Sequence, residues 1–266
     1  MTLRCTVLGC GASGGVPRIG NDWGACDMHN PKNRRQRCAV FIEKFDPAGR
    51  TTSILIDAGP DIRAQMLMAN INKVDAVLFT HDHADHTHGI DDLRFLSYRM
   101  RTVIQMWADK STCDSLQKRF GYCFFDNNIK EYPPILEANT IYPPEPFIVT
   151  GDAGTIQVTP LPQRHGKIES LAFRIGNLAY SPDVSGFYDG VEKVLSGLDI
   201  WIVDALRYQK HPNHFNVEQA LIWIKKLKPR HSILTHLNVE LDYDILSREL
   251  PCNVEPAYDG LVISSS

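Results

Sequence analysis

The chain lacks the features that would place it in several broad protein classes. Its seven cysteines (Cys5, Cys10, Cys26, Cys38, Cys113, Cys123 and Cys252) are odd in number, scattered and never spaced Cys-x-x-Cys. A disulfide framework is therefore not expected, and a reducing cytoplasm is. No apolar run approaches the length of a membrane span, so no membrane partner is expected. The start, Met1 to Gly9, reads as a first strand rather than a signal peptide. Positive charge is in short supply too. The formal net charge of −3 offers no general attraction to long nucleic acid or anionic lipid. Internal repeats and low-complexity tracts are missing. What remains is an ordinary globular composition, 43% hydrophobic and 22% charged over 266 residues, ample for a buried core.

Histidine is where the sequence speaks. Residues 80–86 read Thr-His-Asp-His-Ala-Asp-His, directly after the apolar run Ala76-Val77-Leu78-Phe79. Imidazole and carboxylate are the ligands that hold Zn²⁺, Mn²⁺ or Fe²⁺. On a loop leaving a strand, His81 and His83 can point one way and Asp85 and His86 another, which suits two metals side by side. Three more ligand types stand where apolar runs stop: His165, Asp183 and His236. Ligand sites in α/β proteins gather at strand ends because loops there converge on one rim. Each of these three alone reads as a turn residue. Together with the heptapeptide they read as a ligand set.

Short apolar runs separated by turn signals place strands at 3–8, 38–45, 52–57, 75–80, 102–106, 154–160, 170–175, 178–181, 199–203, 231–235 and 260–264. Helices are expected at about 60–70, 109–120, 186–196, 216–227 and 242–249. Helix 216–227 is the clearest, with Asn216 as cap, Gln219 at the capping-box position and Val217, Leu221, Ile224 and Leu227 as an apolar stripe. Residues 121–150 are rich in proline and aromatics and read as an extended surface loop, either a lid or a rigid connector. The mixture indicates a layered α/β domain over 1–266.

The series His81-x-His83-x-Asp85-His86, then His165, Asp183 and His236, resembles the ligand set of the metallo-β-lactamase superfamily, in the same order along nearly the whole chain. Leu55-Ile56-Asp57-Ala58-Gly59 is similar to the Asp-x-Gly motif that precedes the histidine motif there. The resemblance implies an αββα sandwich, two facing mixed β-sheets flanked by helices. It assigns His81, His83 and His165 to one divalent metal, Asp85, His86 and His236 to a second, and Asp183 to a bridge between them. Asp57 would orient a ligand histidine. Asp82 and His88 lie within the motif but off the ligand pattern. Two cations of zinc or manganese, with iron also compatible, would share a hydroxide as nucleophile. Asp183 speaks against lactamase activity, since the best-known lactamases have a cysteine and no bridging aspartate.

Three local features bear on substrate. Gly9-Cys10-Gly11-Ala12-Ser13-Gly14-Gly15 reads either as an anion-binding turn, with Ser13 near a phosphate, or as a glycine-rich hairpin. His214, just before helix 216–227, reads as a phosphate ligand and general acid or as a capping-loop histidine. Asp204 would orient it or simply end a strand. Lys32, Arg34, Arg35 and Arg37 could steer a phosphate or form a solvated basic turn. The closest resemblance is to the phosphoribosyl cyclic phosphate phosphodiesterases of phosphonate breakdown, through the Gly-rich opening, Arg34-Arg35-Gln36-x-Cys38, the heptapeptide, Asn213-His214 and Thr235-His236. That family carries a structural zinc on a cysteine cluster. Here only Cys26 stands in that loop, and no third zinc is expected. The resemblance thus implies a metal-dependent phosphodiesterase acting on a small phosphate ester, cyclic or nucleotide-like; a homodimer is compatible with the sequence, which does not itself set the oligomeric state. The alternatives are a thioesterase or lactonase, a tRNA-processing nuclease, and a non-catalytic nucleotide-binding module.

Overall fold

The structure is a computed structural model that describes residues 3–125 and 133–265. Two β-sheets face each other with helices outside both, the αββα arrangement. The first sheet has strands β1 (Leu3–Gly9), β2 (Ala39–Phe45), β3 (Thr51–Ile56), β4 (Ala76–Leu78), β5 (Ile104–Asp109) and β6 (Leu136–Ile141) in sequence order. The second is built from β7 (Phe147–Gly151), β8 (Gly154–His165), β9 (Ile168–Ile175), β10 (Leu178–Ser181), β11 (Gly186–Phe187), β12 (Ile200–Asp204), β13 (His231–Thr235) and β14 (Val254–Pro256). The last strand, β15 (Val262–Ser265), returns to the first sheet and pairs antiparallel with β1.

Strand alternation explains the layers. In β12 every residue is buried. Ile200 and Ile202 face the inter-sheet core with Val7, Ile42, Ile54, Phe173 and Tyr180. Trp201 and Val203 face the opposite way, into the layer of α6 (Val191–Leu195), α7 (Val217–Leu227) and α8 (Tyr243–Glu249). A strand covered on both faces needs this continuous apolar run. The first sheet is covered in the same way by α1 (Ile62–Met68), α3 (Arg94–Met100), α4 (Lys110–Arg119) and α5 (Gly121–Phe124), with the short α2 (Ala84–Thr87) inside the histidine motif. The capping box of α7 forms as its sequence indicates. Asn216 Oδ1 accepts from Gln219 N–H at 2.9 Å, and Asn216 N–H donates to Gln219 Oε1 at 3.1 Å. No helix among the described residues is long and apolar enough to cross a membrane.

The topology sends the chemistry to one rim. Strands β3 and β4 run parallel, as do β10, β12 and β13. Strand β9 is antiparallel to both β8 and β10, so those two also share a direction. Their C-terminal ends all open on the same edge of the sandwich.

Several elements differ from the sequence expectation. The stretch 121–150 is not one extended loop. It holds α5 and the edge strands β6 and β7, each extending one sheet. Pro133 and Pro134 precede β6, Pro143, Pro144 and Pro146 fill the turn between the two strands, and together they masked the apolar pairs Ile135-Leu136 and Ile148-Val149. Residues 126–132, within the candidate lid, lie outside the described residues. Strand β8 runs on to His165 through Pro160 and Pro162. It pairs with β9 throughout that stretch, while β7 covers only Phe147–Gly151 against Gly154–Val158 and β11 only Gln163 and Arg164. The prolines fall in the gap between β7 and β11, where a missing N–H costs no ladder bond. The expected helix 186–196 splits into β11 and α6, because Gly190 takes φ +88° between them. Helix α3 was not expected. Its exposed Phe95 and Tyr98 blur the periodicity of Leu93 and Leu96, which are buried.

Candidate metal centre

Six strand ends deliver the site. Asp57 follows β3, His81 to His86 follow β4, His165 ends β8, Asp183 follows β10, Asp204 ends β12 and His236 follows β13. Asp57, Asp183 and His236 have φ of 67°, 50° and 58°. This left-handed region costs a non-glycine residue on the order of 1–2 kcal/mol. At each of these positions the chain turns sharply off the strand, and the side chain is held in the cluster.

The seven expected ligand residues come together. His83 Nδ1 lies 3.3 Å from His165 Nε2, and both group with His81. His86 Nε2 lies 3.5 Å from Asp85 Oδ2, and His236 Nε2 lies 3.8 Å from the same oxygen. Asp183 stands between the two groups. Its Oδ2 is 3.1 Å from His86 Nε2, and its Oδ1 is 3.4 Å from His236 Nε2 and 3.8 Å from His165 Nε2. His81, His86, His165, Asp183 and His236 are all buried.

The donor atoms fit divalent cations. The Nε2 atoms of His81, His86 and His236 and Oδ2 of Asp183 are buried and make no properly oriented hydrogen bond. Buried polar atoms rarely go unpaired. Here they converge on one another instead of pairing, as ligands around a cation do. Charge is arranged to match. Burial alone would raise Asp183, yet the imidazoles of His236, His86 and His81 hold it well below the usual carboxylate range. Burial opposes charge on His236 as well, but Asp183, Asp85 and Asp204 push it up to about 9.

The outer ring fixes orientation. Asp57 Oδ2 accepts from His86 Nδ1 at 2.7 Å. Thr80 hydroxyl donates to the Asp57 carboxylate at 3.0–3.1 Å and takes His81 Nδ1 at 3.0 Å. His165 Nδ1 donates to the carbonyl of Asn213 at 2.8 Å. Each bond leaves Nε2 facing the centre. The roles of Thr80 and Asn213 escaped sequence reasoning. A threonine before the motif and an asparagine before His214 are visible there, but only contact shows what they hold. His214 sits at the edge of the cluster, its Nδ1 2.8 Å from Asp204 Oδ2 and 3.8 Å from Asp183 Oδ1. Asp204 Oδ2 also accepts from Val184 N–H at 3.0 Å.

Other expected residues lie elsewhere. Ser13 is exposed at a turn tip and joins none of these contacts. The basic run does not form one patch. Lys32 packs on Tyr243 and Tyr258, Arg34 over Trp23, and Arg37 pairs with Asp61 at 3.0 Å. Arg35 is buried against Asn33, Asn238 and the Cys26 thiol. Cys26 itself packs with Val16 and Val239. Asp82 bonds Ser115 and Arg119, and His88 is exposed near Arg119.

Residues 52–237 match the β-lactamase superfamily domain. A crystal structure described as a new diphosphatase from the PhnP family is 34% identical, with a TM-score of 0.89, covering 100% of this chain and 98% of that one. The chain belongs to the β-lactamase superfamily and its PhnP family. YhfI from Bacillus subtilis, a metallo-β-lactamase fold protein, shares the architecture at 20% identity and a TM-score of 0.74, covering 99% of each chain. An octanoyltransferase of Porphyromonas gingivalis is 34% identical over 263 residues, which is 97% of this PhnP-family chain but only 51% of that protein. The chain therefore spans about half the length of this curated relative. Metallo-β-lactamase-fold enzymes typically use divalent metals, and the histidine and aspartate clusters could hold them.

Proposed function

We propose that the protein is a two-metal phosphodiesterase for a small phosphodiester, cyclic or nucleotide-like. The observation that carries this is the His214–Asp204 pair beside the cluster. His81, His83 and His165 would hold one cation, Asp85, His86 and His236 the other, and Asp183 both. Bound there, zinc or manganese supplies Lewis-acid charge and an activated water at neutral pH. The remaining tasks fall to the chain. His214 donates its Nδ1 proton to Asp204, which leaves Nε2 to carry the proton handed to a leaving oxygen. Asp204 is itself fixed by the Val184 amide, so the imidazole is preorganised. Asp57 and Thr80 keep His86 and His81 in one tautomer.

The likeness to a PhnP-family diphosphatase supports phosphoryl chemistry. The test is turnover of bis(p-nitrophenyl) phosphate by the zinc- or manganese-loaded protein, with Asp183→Ala and His83→Ala as inactive controls. Failure of the loaded wild type to cleave any phosphodiester would reject the reading.

One observation favours a second reading. The octanoyltransferase that is 34% identical to this chain is named for acyl transfer, although the match spans only half of it. A thioesterase or lactonase would have no use for the His214–Asp204 pair. A panel of acyl thioesters and lactones run beside the phosphodiesters separates the two.

A further inference from the structure

The loop between β12 and α7 carries a second imidazole that the chemistry above does not use. His211 is half-buried, and its ring centroid lies 5.1 Å from that of His214, with the planes tilted by 41°. His214 in turn stacks on His236 at 4.6 Å and meets His165 edge-on at 4.7 Å. His211 is therefore one end of a run of rings that leads into the cluster.

This loop is braced from within. Arg207 donates from Nε to the carbonyl of Gln209 at 3.2 Å and from a terminal nitrogen to that of Lys210 at 3.0 Å. Asn213 N–H donates to His211 Nδ1 at 3.2 Å, while Asn213 O accepts from His165. One residue thus ties His211 to the metal cluster. The bond also settles the tautomer. With Nδ1 accepting, the neutral ring carries its proton on Nε2. Burial, together with His214 and Arg207 nearby, lowers His211 below the usual histidine value, which favours the neutral ring. Its Nε2–H has no hydrogen-bond partner among the described residues.

We propose that His211 is a substrate-binding residue whose Nε2–H donates to a non-bridging phosphoryl oxygen while His214 serves the leaving side. This rests on the phosphodiesterase reading and extends it to a second imidazole that nothing else on the chain assigns. A neutral donor on a rigid loop suits an anion already facing cations. It adds direction and shape without competing for the metal charge.

The alternative is a loop strut, in which only the Asn213 N–H to Nδ1 bond matters. Two substitutions separate these roles. His211→Asn places Oδ1 where Nδ1 lies, keeps the acceptor for Asn213 N–H and removes the distal donor. His211→Gln reaches the Nε2 position with an amide and gives up the near acceptor.

The metal-loaded wild type and both variants are assayed on bis(p-nitrophenyl) phosphate, with folding checked by thermal unfolding. A lost hydrogen bond to a charged oxygen predicts about a tenfold rise in KM for His211→Asn with kcat nearly unchanged, and a near-wild-type KM for His211→Gln. The reverse pattern, no change in either variant, or equal impairment of both overturns the proposal. Calorimetric titration of the same proteins with inorganic phosphate keeps the two readings apart. If the wild type cleaves no diester but His211→Asn still weakens phosphate binding about tenfold while His211→Gln does not, the phosphodiesterase reading fails and the His211 site stands. Equal phosphate affinity in wild type and His211→Asn overturns the site.

Discussion

Removing His214, and separately neutralising Asp204, asks whether the pair beside the metal cluster delivers a proton. The Asp204→Asn change is nearly isosteric. Asp204 Oδ2 accepts from His214 Nδ1 at 2.8 Å and from Val184 N–H at 3.0 Å, while Oδ1 lies 3.7 Å from His236 Nδ1. An amide oxygen in the Oδ2 position keeps both bonds, so the charge is what is lost. A charge-assisted bond exceeds a neutral one by about 1–2 kcal/mol, which corresponds to a loss of about 5–30-fold in kcat. His214→Ala removes the donor itself, and general acid catalysis is worth about 10²–10⁴-fold when the leaving oxygen needs a proton. An alkoxide needs one far more than p-nitrophenolate does. Steady-state kinetics should therefore show a loss at least about tenfold larger on a cyclic alkyl phosphate than on bis(p-nitrophenyl) phosphate. In the His214→Ala background, Asp204→Asn should cost much less than in the wild type, because only its weaker influence on His236 is left to lose. Equal losses on both substrates, or additive effects of the two substitutions, would refute the acid assignment.

Asp57→Asn leaves His86 without its carboxylate partner and should lower metal affinity about 10–100-fold in chelator competition; unchanged affinity would deny Asp57 that role. Gly166→Ala sets a Cβ 2.1 Å from Asn213 Oδ1 at φ +62°. It should cost about 1–2 kcal/mol in urea unfolding and reduce activity through the Asn213 bond to His165; a variant as stable as wild type would count against that packing. Asp259 is pushed up to about 7, mainly by burial, although it accepts from Gln36 N–H and from Cys10. A raised carboxylate stabilises the fold fully below the unfolded value near 3.8, and that contribution is lost as pH rises toward 7. Urea unfolding at pH 5 and pH 8 should show the wild type losing stability relative to Asp259→Asn at the higher pH, and a pH-independent difference would contradict the burial argument.

Much of the fold was legible because its signals are local. Strands such as 178–181 and 231–235 are short apolar runs bounded by turns, and the α7 cap is a four-residue pattern. The misses share a different cause. Strands β6 and β7 are edge strands whose pairing depends on distant neighbours, and proline dominated the local reading. The length of β8 depends on where β7 and β11 stop. Helix α3 buries too few residues for its period to stand out.

The sequence by itself determined the kinds of donor in the site and their order along the chain, because imidazole and carboxylate are properties of single residues. It also marked the strand ends that carry them. Only the tertiary structure decided what meets. His83 faces His165 across 82 residues of chain, and Asp57 faces His86 across 29. Thr80 and Asn213 became orienting groups, His211 came beside His214, and the basic run from Lys32 to Arg37 was divided among unrelated contacts. Those outcomes follow from strand register and from the packing of two sheets. Such long-range distances are set by the whole fold and leave no mark in any short stretch of sequence.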